Sequence, residues 1–224
     1  MAKITEDVLR EYINFCERRF GVRFVEKSSS RFMKLISWIL FFNKSFMTPY
    51  VTTIATTVYW PNCEDRWSNN PNGSFYTAFH EAQHAQDYKK YRLFFFVSYL
   101  MPQLLAYFAV FALLAISVTN YTLFFLLALI FLAPLPAYFR MIWEVRGNAC
   151  GIATDVWTRG SVSDSNYEAR ASRFTGPDYY FMWPFRKDVL RRLRREEQKV
   201  REGKLTDVQQ ATYEFLTERG IVAH

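Results

Sequence analysis

The apolar positions of the chain change character along its length. From Thr5 to Phe20, Val8, Tyr12, Phe15 and Phe20 recur at roughly helical spacing. Thr5 can cap the start and Gly21 ends the run, so an amphipathic helix is predicted. Gly21 to Glu26 reads as a short strand. Phe32 to Phe42 is apolar apart from Lys34. At 11 residues it is too short to cross a bilayer, which leaves a buried element or an interfacial helix. Val51 to Trp60 lies between Pro49 and Pro61, and seven of its ten residues are Val, Ile or Thr. This is the clearest strand in the chain. A loop, Pro61 to Gly73, follows it, and Ser74 can then cap a helix running to about Tyr91.

Beyond Tyr91 the pattern becomes continuous. No charged residue occurs between Leu93 and Phe139. Leu93 to Ser117 and Tyr121 to Tyr138 are apolar segments of 25 and 18 residues, long enough or nearly so to cross about 30 Å of hydrocarbon. Thr119 and Asn120 make the turn between them, and Pro102, Pro134 and Pro136 are tolerable kinks. Two membrane-spanning helices are expected here. Arg140 to about Trp157 reads as a helix leaving the second span, and Gly160 to Pro177 as a loop. Pro184 to Glu202 is a charged helix stopped by Gly203. A last helix starts at Thr206, with Val208, Ala211, Phe215 and Leu216 on one face. The expected fold is mainly α with a small β element. Five segments follow from this: 1–48 with the first helix and short apolar element, 49–92 with the strand and the next helix, 93–139 as the transmembrane hairpin, 140–183, and the basic 184–224.

Charge sharpens the membrane expectation. The formal net charge is +7. Lys89, Lys90 and Arg92 precede the apolar stretch, Arg140 and Arg146 follow it, and the turn between carries none. By the positive-inside rule both ends of the hairpin face the cytoplasm. A second basic cluster is Arg186, Lys187, Arg191, Arg192, Arg194 and Arg195. Beside a membrane, anionic lipid headgroups are the expected partners, and no nucleic-acid-binding signature accompanies the charge. Cys16, Cys63 and Cys150 are widely spaced without a CxxC and read as free thiols. The N-terminal segment lacks the apolar core of a cleavable signal. An integral membrane protein with two spans and cytoplasmic termini is expected.

The chemistry lies in HEAQH, His80 to His84. Residues four apart on a helix share a face, so His80 and His84 can offer two imidazoles to one zinc ion (Zn2+). Glu81 sits one step round and can act as a general base towards a water beside the metal. Composition alone would produce roughly two such matches per thousand chains of this kind. A catalytic zinc site takes three protein ligands and keeps one position open. The other histidine, His224, is the last residue. The third ligand is therefore expected to be a carboxylate. Glu144 is the leading candidate, because a hairpin returns the chain close to where it left; Asp155 and Glu168 remain alternatives. Asp87 could orient a histidine. Oxyanion support could come from Tyr179 and Tyr180 behind Gly176 and Pro177, from Arg170 or Arg173, or from a backbone donor.

These residues resemble the gluzincin metallopeptidases, most closely the membrane-embedded type that includes HtpX and the CAAX prenyl endopeptidases, as a small divergent member. The resemblance covers about residues 50 to 157. It implies zincin-like metal-site helices joined by the transmembrane hairpin, with His80, His84 and Glu144 as zinc ligands and Glu81 as base. It implies that Val51 to Trp60 binds extended substrate, placing Thr53, Ala55 and Thr57 against it. Asn148 stands where that family commonly has an aspartate that orients a metal histidine. The family also carries further transmembrane helices before the motif, where this chain has Phe32 to Phe42. The expected activity is a membrane-anchored, zinc-dependent endopeptidase acting on protein or peptide substrates. A non-catalytic, membrane-anchored zincin-like scaffold is the alternative from another class.

Overall fold

A computed structural model describes residues 4–39, 47–48, 50–102, 104–105, 108–109, 111, 120–133, 135–179 and 181–222. Residues 40–42 of the short apolar run, Thr119, Pro134, Tyr180 and His224 lie outside these. The chain forms two units, each assembled from separated segments. The five consecutive segments read from the sequence do not coincide with them.

The first unit comprises Met1–Tyr91, Arg146–Val162 and Glu196–His224. Helix α1, Glu6–Phe20, is capped by the Thr5 hydroxyl, which accepts from the Val8 amide. It ends at Gly21, whose φ of 57° is the left-handed value a glycine adopts without strain. Strand β1, Arg23–Glu26, leads to α2, Arg31–Ile39, and then to β2, Thr52–Ile54, and β3, Thr57–Trp60. The sheet order is β1-β3-β2, with β1 parallel and β2 antiparallel to β3. The single predicted strand is thus a hairpin, reversed at Ala55 and Thr56. Ala55 carries a φ of 56°, uncommon for a residue with a Cβ. The predicted loop holds α3, Cys63–Asn69, and α4, Pro71–Tyr91, begins at proline rather than after Ser74. Proline suits a first helical position because its missing N–H would have no helical partner there.

The core of this unit lies between α1, α4 and the last helix, α9, Asp207–Thr217. The Tyr12 ring sits 4.5 Å from Phe75, 6.1 Å from Phe79 and 5.2 Å from Phe215. Its hydroxyl meets that of Thr212 at 2.9 Å. On α4, Phe75, Ala78, Phe79, Ala82 and Ala85 are all buried. The small alanines let neighbouring helices approach closely, and the aromatic rings fill what remains.

Lys27, between β1 and α2, is fully buried. Its Nζ donates to the Tyr50 carbonyl at 2.8 Å and the Thr52 hydroxyl at 2.9 Å. Loss of water, and Arg66 nearby, lower its pKa from 10.5 to about 8. Between those values the unfolded chain holds a proton that the folded chain has shed, so stability rises with pH across that window. Below it the cost of burying the charge is present in full. In thermal unfolding at pH 7 and pH 10, wild type should therefore gain relative to Lys27→Met as pH rises. A difference that stays constant with pH would show that Lys27 does not titrate in this way.

The second unit comprises Arg92–Val145 and Ser163–Arg195. Here the structure corrects the membrane reading. Among the described residues, no helix is long and apolar enough to cross a membrane. Helix α5 is only Leu93–Leu100, eight residues. At 1.5 Å per residue it covers about 12 Å of the roughly 30 Å required. It stops because Met101 precedes Pro102 and takes an extended conformation, ψ 142°. Asn120–Leu132 is a 3-10 helix of thirteen residues. The two-helix transmembrane hairpin and the two-span integral membrane location with cytoplasmic termini are not supported. A second correction concerns the segment read as a loop after Gly160. It contains α7, Asp164–Thr175, capped by Ser163 and burying Tyr167, Ala171 and Phe174. Two longer helices are α6, Tyr138–Arg159, and α8, Arg186–Arg201.

Candidate metal centre

Helix α4 places its apolar face in the core, which leaves His80, Glu81 and His84 on other sides of the same two turns. His84 is buried and His80 half-buried. The two rings meet edge to face with centroids 4.6 Å apart, and their Nε2 atoms are 2.9 Å apart. Two nitrogens bound at 2.0–2.1 Å to one tetrahedral ion would stand about 3.3 Å apart, so little movement separates the two arrangements.

Helix α6 is brought alongside by one buried ion pair. Arg146 donates to Asp87 through Nε at 3.0 Å and Nη2 at 2.7 Å, and Gln83 adds a third bond to the same carboxylate at 3.0 Å. At Gly147 the approach is close enough to exclude a side chain. A Cβ there would stand 2.5 Å from His80 Cε1 and 2.6 Å from its Nε2. Glu144 lies three residues earlier on the same unbroken helix and so shares that face. His80, His84 and Glu144 each present one ligand atom, and these atoms lie within 4.8 Å of one another. Two neutral imidazoles and a carboxylate form one of the donor sets that catalytic zinc uses.

Glu144 is buried and accepts a hydrogen bond from the Tyr99 hydroxyl. Arg140, one turn before it, has its guanidinium carbon 5.2 Å from the centre of the Tyr99 ring. Burial works to lower the Arg140 pKa, but Tyr99 and Glu144 outweigh it and hold the pKa above the ordinary value. Glu81 Oε2 accepts from the Thr53 hydroxyl at 2.7 Å, which ties β2 to the motif helix.

Comparison of the chain with protein-family models, curated proteins and solved structures returns no match. These comparisons identify no family for it.

The other expected site residues are placed as follows. Thr53 stays on β2, but Ala55 is in the turn and Thr57 is on the next strand, so the three do not form one strand face. Asp87 is taken up by Arg146 and Gln83, so it joins two helices instead of orienting a histidine ring. Asn148 is buried on α6, one turn after Glu144. Asp155 accepts from the Tyr76 hydroxyl at 2.7 Å and pairs with Arg159 at 3.2 Å. Glu168 accepts from Arg186 at 2.9 Å. Neither belongs to the His-His-Glu cluster. Tyr179 packs edge-on against Phe174 at 5.4 Å, within the second unit.

Sequence reasoning missed Tyr99, Arg140 and Gly147 as parts of the site. Arg140 stands four residues before Glu144, a spacing that pairs opposite charges on a helix. For Tyr99 the cue was a phenol in an otherwise apolar run, since a buried tyrosine hydroxyl needs a partner.

Proposed function

We propose that this chain is a zinc-dependent hydrolase of peptide bonds. The observation that carries the reading is the cluster of three ligand atoms within 4.8 Å, supplied by His80, His84 and Glu144 beside a glutamate on the motif helix. A zinc ion held there would polarise a substrate carbonyl and acidify a water in its open position. Glu81 accepts the proton of the attacking water and returns it to the leaving amine. Thr53 holds Oε2 of that carboxylate, which leaves Oε1 to carry the proton. The two histidines would hold the ion through ring nitrogens, and Glu144 would supply the negative charge that favours a dication.

Zinc content of the purified chain tests this directly by elemental analysis. Wild type should carry one zinc per chain, and His80→Ala, His84→Ala and Glu144→Ala should each lose most of it. A wild-type chain that takes up no zinc would overturn the reading. Full zinc in the Glu144 variant would remove Glu144 from the ligand set.

A further inference from the structure

Resting on the proposed zinc site, we propose that Tyr99 is a positioning residue for the third ligand, and that Arg140 acts through it. The hydroxyl of Tyr99 donates to Glu144 Oε1. A ligating carboxylate generally needs a hydrogen-bond donor outside the metal, which fixes its orientation and basicity. In this buried setting a charge-assisted O–H to carboxylate bond is among the stronger available.

The donor is held in place by its own surroundings. Helix α5 lies along α6 through Trp143, whose indole N–H donates to the Ser98 hydroxyl at 3.0 Å and whose ring sits 5.0 Å from Phe95. Phe95 in turn packs 5.6 Å from Tyr99. The phenol is thus fixed from its backbone and from its ring. Arg140 then presents a cation to the same ring at 5.2 Å. A cation near an aromatic face is attracted by the ring's electrons, and drawing on them makes the phenolic O–H a better donor. Tyr99, Arg140 and Glu144 lie within one unit.

The test is the zinc dissociation constant of the full chain, measured by competition with a chromophoric chelator using zinc alone. Tyr99→Phe removes one oxygen and keeps the ring. It should weaken zinc binding by about tenfold to a hundredfold. In a Glu144→Ala background the same change should have no further effect, because the acceptor of the Tyr99 hydroxyl is gone. Arg140→Met should weaken zinc less than Tyr99→Phe does, and should add nothing once the hydroxyl has been removed. A merely structural tyrosine would cost the same in both backgrounds, and that result would overturn the proposal. So would a Tyr99→Phe chain that binds zinc as tightly as wild type, while leaving the zinc reading intact. A wild-type chain without zinc would remove both.

Discussion

Glu81→Gln should bind zinc as wild type does and lose about 10²- to 10⁴-fold in hydrolysis, the usual contribution of a positioned general base. The amide has nearly the same shape as the carboxylate. Its oxygen can still accept from Thr53, so the link between β2 and α4 survives. It cannot accept the proton of the attacking water. The readout is turnover of fluorescently labelled unfolded casein, with zinc content measured on the same preparation. Loss of zinc along with activity would mean that Glu81 helps bind the metal. Unchanged turnover would end the mechanism proposed above.

Arg146→Ala should produce the largest loss of stability, about 3 kcal/mol, because it leaves a buried carboxylate without its cation. Asp87 is only 2% exposed, whereas Arg146 is 33% exposed. The cost therefore falls mainly on Asp87, and partial solvent screening at the arginine keeps it near the lower end of the range for buried pairs. Gln83 alone cannot replace two charge-assisted bonds. Adding Asp87→Asn should recover part of the loss, since the amide carries no charge to strand. Denaturant titration of the two variants measures both effects. A loss below about 1 kcal/mol would show that water reaches Asp87 once the arginine is gone.

The pairing of His80 with His84 was legible because it needs only local geometry: two histidines four apart on a helix whose other face is apolar. The first helix was legible for a similar reason, since Thr5 and Gly21 mark its ends by their chemistry. What failed depended on where elements stop. In the uncharged stretch, hydropathy argued for length, and Pro102 was weighed as a kink although it ends α5. The strand from Val51 broke at Ala55, a turn with none of the Gly, Asn or Asp that usually betray one. Helix α7 was hidden by its polar surface, although Tyr167, Ala171 and Phe174 already trace a helical face. Asp87 illustrates a different limit. Its nearness in sequence to His84 suggested a local partner, but its cation is Arg146, and no local pattern reveals such a pairing.

The glycine at position 147 has a consequence for the freedom of the His80 ring. The His80 ring lies against bare backbone, in a slot whose wall has no rotamers of its own. The imidazole therefore loses its rotational freedom when the helices pack, during folding. A zinc ion bound as proposed would meet an imidazole already oriented, without that entropic cost. A side chain at position 147 would collide with that ring, so any larger residue there would reset the orientation of His80.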